Sequence, residues 1–327
     1  MRHTGRIDIT ATALEALHHG QGAEGNTQVL RRQEIVTPDG EIATVPFISG
    51  NSLRHMLRDA GVRYALDAMG VPDGSLSKGT IDLLFSGGSL GGKASVTLAK
   101  ARAVAELFPI LSVLGYSAGS RIQPGKIEVG HLHLVCEENQ HRMPRLEPLA
   151  LRHAGAFVGE EFGTRHDAAR LPYAQRLLGA PRPAPEEPEK KGRTKGAKDE
   201  ESTQMIYDWE VVLPGSRFWG GITYRELSPI EIDALRSALS YACEGMHPDG
   251  GYLFRVGAKR GTGHGLMAWR LSGSVRTVDV PVSTPSDTML PALVDREQPT
   301  SGWLGTYVTH LREHRDAIVS LLEEVSS

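Results

Sequence analysis

Apolar and polar residues alternate at the start of the chain. Ile7, Ile9, Ala11 and Ala13 share one face of an extended run between Arg6 and Leu17, the period-two signature of a half-buried strand. A polar, glycine-rich loop follows over 18–26. The pattern then changes to helical spacing, with Leu53, Met56, Leu57, Ala60 and Tyr64 on one stripe. Asn51 or Ser52 is positioned to cap this helix, Gly70 to end it in the left-handed conformation, and Pro72 to stop it. Residues 80–85 read as extended, 94–114 as one long helix, and 126–138 as a strand. No element can be assigned over 139–180. Residues 181–204 hold no aliphatic residue larger than alanine and no aromatic, so burial cannot offset their ordering entropy and a mobile loop is expected. Residues 205–227 read as two strands around the turn Pro214-Gly215-Ser216. Ser228-Pro229-Ile230-Glu231 is a capping box with proline at the first helical position, opening a helix to about Cys243. A strand (252–256), a glycine loop (257–265) and another strand (266–275) follow. In the tail, Leu304, Val308, Leu311, Ile318, Leu322 and Val325 share a broad face, which predicts a docked amphipathic helix.

The order strand, helix, strand, strand, helix, strand runs through 6–17, 51–69, 126–136, 215–225, 228–243 and 266–275. This is an α+β, ferredoxin-like βαββαβ core with large insertions.

Composition narrows the function. The 327 residues carry 36 Lys+Arg against 39 Asp+Glu, a net charge of −3, which excludes a uniformly basic nucleic-acid binder but not a local basic surface. Cys136 and Cys243 lie far apart with no CxxC spacing, so neither a disulfide framework nor a zinc site is predicted, and a reducing cytoplasm fits. No apolar run reaches membrane-spanning length, and the N-terminus has no secretory pattern.

Four local patterns bear on chemistry. Gly87-x-x-x-x-Gly92-Lys93 nearly spells a phosphate-binding loop, but Ala94 stands where a magnesium-ligating Ser or Thr is needed. A glycine loop allowing close backbone approach is the better reading. The run Gly257-Ala258-Lys259-Arg260-Gly261-Thr262-Gly263-His264-Gly265 offers unshielded N–H groups and two cations between strands, a combination suited to phosphates, although a tight hairpin with solvated charges explains it equally. Arg54 and Arg58 lie four apart on one helix face, and Arg31-Arg32 precede them, so these cations could form a basic surface or merely a solvated face. His131 and His133 share a strand face but lack a third ligand at metal spacing, and a structural role is favoured.

Two segments together carry a resemblance. Phe47-Ile48-Ser49-Gly50-Asn51-Ser52-Leu53-Arg54 resembles the "IPGSSLR" motif of CRISPR-associated RAMP proteins, and Glu210 to Arg270 resembles their second half, with its strand pair, capped helix and glycine loop. Within that superfamily the chain is most similar to the guide-RNA backbone subunit of the Cas-seven type, and Leu111 to His133 resembles a stretch of the type IV members. The resemblance implies an RRM-type palm in two parts (1–70 and 209–280) with a palm strand at 126–138, inserted fingers at 71–125, an insertion at 139–208 carrying a β-hairpin thumb, and a C-terminal extension over 281–327.

The resemblance also implies that copies stack head to tail along one guide RNA (crRNA), beside other CRISPR effector subunits in a ribonucleoprotein, and present the guide to a complementary target, DNA rather than RNA. No cofactor, metal or membrane is called for. Guide phosphates would lie on Asn51, Ser52, Arg54 and Arg58 and on Gly257, Lys259, Arg260 and Gly261, with Arg31 and Arg32 nearby and Gly87, Gly88 and Lys93 as further candidates for contact with the RNA. Type III relatives cut RNA with an aspartate between the first strand and first helix. Here Gly25-Asn26-Thr27-Gln28 has none, and Asp39 falls in a Pro-Asp-Gly turn signal, so no target cleavage is expected. The alternative is a metal-independent endoribonuclease of the same superfamily that processes guide RNA, with His18, His19 or His55 as acid or base.

Overall fold

The computed structural model describes residues 2–88, 96–119, 121–143, 151–165, 176, 205–277 and 305–326. In chain order the strands begin with β1 (His3–Ala13), β2 (Gly20–Glu24), β3 (Thr27–Leu30), β4 (Arg32–Val36) and β5 (Ile42–Ile48). Next come β6 (Tyr116–Ala118), β7 (Arg121–Gln123), β8 (Ile127–Val129), β9 (Leu132–Leu134) and β10 (Val158–Arg165). The last are β11 (Met205–Val212), β12 (Arg217–Leu227), β13 (Gly245–Met246), β14 (Tyr252–Arg255) and β15 (Leu266–Thr277). The helices are α1 (Gly50–Met69), α2 (Lys78–Ile81), α3 (Leu98–Leu107), α4 (Pro109–Leu114), α5 (Pro229–Ala242), α6 (Thr306–Glu313) and α7 (Arg315–Ser326).

The main sheet runs β13-β14-β15-β1-β12-β9-β5-β4, with β8 also on β12. Its centre is antiparallel throughout, β15 and β12 flanking β1 and β8–β9 flanking β12. With β8–β9 as the second core strand, this is the 4-1-3-2 strand order of a ferredoxin-like βαββαβ unit, and α1 and α5 are its two helices. Alternation decides the faces. Ile7, Ile9, Ala11, Leu132, Leu134, Phe218, Ile222, Met267 and Trp269 are buried in one core with Leu53 and Leu57 of α1 and Leu235 and Leu239 of α5. Each such large side chain contributes about 1.5–3 kcal/mol by leaving water. Their alternates on the strands, such as Thr10, His133, Trp219 and Ala268, are only half-buried.

The predicted end of α1 and the predicted start of α5 both hold. Gly70 ends α1 at φ 61°, its N–H returning to Leu66 and Asp67 carbonyls. Ser228 and Glu231 form the capping box of α5, the Ser228 N–H donating to Glu231 Oε2 at 2.8 Å. The cap of α1, however, is Ser49, whose hydroxyl accepts from the Ser52 N–H at 3.2 Å; Asn51 and Ser52 lie inside the helix.

Several expectations are corrected. Residues 80–85 are helical, α2 running into a turn of π-helix (Asp82–Ser86), because Ser77 caps the segment and the adjacent Leu83 and Leu84 are both buried. The long helix of 94–114 is two, since Pro109 has no N–H to give and drives Phe108 out of helical geometry (φ −125°, ψ 75°). The strand at 126–138 breaks at Gly130-His131 into β8 and β9. The polar loop at 18–26 contains β2, which pairs with β3. Strands β11 and β12 flank the predicted turn but part company: β12 stays in the main sheet, whereas β11 joins a four-stranded sheet, β10-β11-β3-β2. The tail forms two helices, α6 and α7, burying Tyr307, Leu311, Ile318, Leu322 and Val325. Tyr307 takes the place predicted for Val308, and Leu304 lies outside the described residues. The loop 181–204 and Lys93 also lie outside them.

Candidate nucleic-acid interface

The segment His18-His19, just after β1, is where the predicted contact regions meet. On one side, His18 forms a β-bridge with Ala258, whose N–H donates to the His18 carbonyl at 2.8 Å, so the glycine loop lies along it. On the other, the Ser49 N–H donates to His19 Nε2 at 3.1 Å, so the start of α1 lies there too. The Gly50 N–H donates to His131 Nδ1 at 2.8 Å. Gly50 is required here because a Cβ would stand 2.1 Å from the Val129 carbonyl oxygen.

The imidazoles accepting these N–H groups are held neutral. Burial first, then Arg31, His18 and His131, lowers the pKa of His19 to about 4. His131 is lowered by burial and then Arg142. The N–H groups of Ser49, Gly50 and Ser52 are thereby taken, and the α1 start offers outward the exposed side chain of Asn51 and, half-buried, Ser52. The first turn of α1 carries no acidic residue, so its positive dipole end is not neutralised locally.

The arginines of α1 are not the solvent-facing pair expected. Arg58 is buried and donates to the carbonyls of Leu84 (3.4 Å), Leu114 (3.2 Å) and Gly115 (2.6 Å). Burial, then the charge of Arg54, pulls its pKa down to about 10. Arg54 is half-buried and donates to the carbonyls of Ile127 (3.2 Å) and Leu114. These residues clamp α1 to the α4–β6 junction. Gly87 and Gly88 pack against the same clamp, a Cβ at Gly87 standing 3.2 Å from Arg58 and one at Gly88 2.7 Å from Ser117. Arg32 is likewise engaged, forming two 2.7 Å bonds to the Glu210 carboxylate and fastening β4 to β11. Arg31 stays beside His19, its N–H donating to the His19 carbonyl at 2.7 Å.

The glycine loop differs. Gly257 and Gly261 flank its two cations. Lys259 adopts the left-handed conformation (φ 59°) and sets its Nζ 3.8 Å from the Trp209 ring centre and 5.5 Å from that of Tyr207. Arg260 is exposed, its Nε donating to the Gly257 carbonyl at 3.1 Å. Gly265 closes the loop at φ 87°, where a Cβ would lie 2.0 Å from the Val256 carbonyl oxygen. The loop is tied to β10 by His264 Nε2, 2.7 Å from Glu161 Oε2. Tyr207 and Trp209 went unnoticed in the sequence, although their two-residue spacing on a strand puts both rings on one face.

Of the histidines proposed for catalysis, His18 is buried with Nδ1 2.7 Å from the Glu210 carbonyl, His19 is held neutral, and His55 is exposed on α1. Asp39 sits in the predicted turn, accepting from Thr37 Oγ1 at 2.5 Å. Among the described residues no group of three or more His, Cys, Asp or Glu side chains could hold a metal, and no helix is long and apolar enough to cross a membrane.

Residues 4–82 match the family described as CRISPR-associated negative auto-regulator DevR/Csa2. The chain is similar to CRISPR-associated proteins. Its fold also matches that of a chain in a solved Type IV-B CRISPR complex, at 19% identity and a TM-score of 0.52, over 89% of this chain and 99% of the other. The family match covers β1 through α2 and so includes the α1 motif. No curated protein matches the chain.

Proposed function

We propose that the protein is a non-catalytic backbone subunit that binds guide RNA in a CRISPR effector ribonucleoprotein. In this reading copies stack head to tail along the RNA in the cytoplasm, beside other effector subunits, and the guide meets its target, DNA rather than RNA, by base pairing. The supporting observation is the match over nearly the whole length of a chain from a Type IV-B CRISPR complex, joined to the family match over residues 4–82. The geometry agrees: the α1 start and the glycine loop converge on His18-His19, and Arg260 and Asn51 are exposed there. Phosphates would be met by Arg260 and Lys259 of the loop rather than by Arg58. Heterologous stacking does not close on itself, and a near-neutral subunit avoids repulsion between like-charged copies.

Protein purified without nuclease should carry RNA and show high ultraviolet absorbance. A nucleic-acid-free protein that gains no RNA at low salt would refute the reading. Cleavage of a repeat RNA in EDTA would replace it with the processing endoribonuclease.

A further inference from the structure

The face of the main sheet opposite the core carries an aromatic row. In register across three neighbouring strands stand Phe47 on β5, His133 on β9 and Trp219 on β12. Each is flanked along its strand by core residues: Ile48 beside Phe47, Leu132 and Leu134 beside His133, and Phe218 beside Trp219. Alternation therefore turns all three rings to the other face. His131 joins them, its ring centre 4.7 Å from Phe47 and 6.0 Å from His133, and His133 lies 6.1 Å from Trp219. His131 is exposed and the other three are half-buried. Gln33 Nε2 holds the His133 ring at 3.0 Å from Nδ1.

Charge around the row is polar to cationic. The register continues past Trp219 to Thr10 on β1 and Arg270 on β15, and Arg217 stands one row on, opposite Thr12. Arg142 is near enough to lower both His131 and His133, although burial is the larger cause for each. The acid of the adjoining row, Asp8, is paired with Arg6 at 2.5 Å. Aromatic faces ringed by arginines on an exposed sheet suit unpaired nucleobases, whose rings stack while the phosphates follow the cations. A protein surface would gain less, since the row is narrow and half of it is histidine. Phe47 to Trp219 spans two strand spacings, about 10 Å, room for about two bases.

We propose that Phe47, His131, His133 and Trp219 form a stacking platform for bases of a single-stranded nucleic acid. The proposal rests on the RNA-binding reading and adds to it a base-contacting face distinct from the loop that meets phosphates. The platform starts at the helix that bears the CRISPR-associated motif, because Phe47 precedes the Ser49 cap and His131 accepts from Gly50.

The test uses the full chain and a short oligouridylate carrying one 2-aminopurine. Trp219→Ala and Phe47→Ala should each weaken binding about 5- to 150-fold without changing its salt dependence, because stacking releases few counterions. The 2-aminopurine emission, quenched on the wild type, should recover on both variants. Trp219→Phe keeps an aromatic face and the fold, and should bind within about threefold of wild type. Unchanged affinity and unchanged quenching in both alanine variants, with Lys259→Glu still weakening binding, would overturn the platform and leave the RNA reading standing. Failure of the wild type to bind the oligonucleotide would overturn both.

Discussion

Two pairs of cations look alike in the sequence and are opposites in the fold. Arg54 and Arg58 lie four apart on α1, and Lys259 and Arg260 sit side by side in a glycine loop. The first pair is directed into the molecule, where Arg58 satisfies three carbonyls at the π-helical turn and the α4–β6 junction. The second pair stands where the chain has few side chains and open backbone, one cation over an aromatic ring and the other in solvent. A guanidinium has five donors, so a loop end rich in unpaired carbonyls can absorb it. A cation's spacing on a helix therefore does not fix its job; what faces it does.

The largest expected effect separates the pairs by stability. Arg58→Ala leaves the Gly115 and Leu84 carbonyls unmet and a gap beside Gly87, and should cost about 3 kcal/mol in urea unfolding. Full stability with lost RNA binding would make Arg58 an RNA contact and break the comparison. A smaller effect is expected at Lys259. Lys259→Glu should weaken single-stranded RNA binding about tenfold at low salt and flatten the log–log salt slope by roughly 0.7 or more, while the melting temperature changes little. A collapse in melting temperature would instead make the Trp209 contact structural.

A pH dependence sharpens the role of the histidines beside α1. His19 and His133 have folded pKa values lowered from 6.5 to about 4, His19 by burial and then Arg31, and His133 by burial and then Arg142 and His131. Between those values the unfolded chain binds protons that the folded chain refuses, so stability falls as pH drops from 6.5 toward 4 and levels off below. Glu210 and Glu231, whose pKa values are lowered, add their losses only in the carboxylate range. Unfolding midpoints measured across this range should decline before pH 4.5 is reached, and His19→Gln should remove part of that early decline. A flat profile down to pH 5 would mean that these rings protonate freely in the folded state.

The core was legible because its signals are local. Alternation in β1, the stripe and Gly70 of α1, and the Ser228–Glu231 box each report a backbone state that the fold keeps. What could not be read depends on partners distant in sequence. Pairing of β11 with β3 rather than β12 is set by the Glu210–Arg32 and Asp208–Thr27 contacts, some 180 residues apart. The inward turn of Arg58 depends on carbonyls 26 to 57 residues away. Of the candidate site, the glycine loop was found because glycine density is visible in one dimension. The aromatic row was missed because register, not spacing, brings Phe47, His133 and Trp219 side by side.

The central claim is that copies of the chain follow an RNA. It is tested most directly by analytical ultracentrifugation of the protein with single-stranded RNAs of increasing length. The account predicts a particle that gains protein copies in regular steps as the RNA lengthens. A particle of fixed mass, whatever the RNA length, would contradict it.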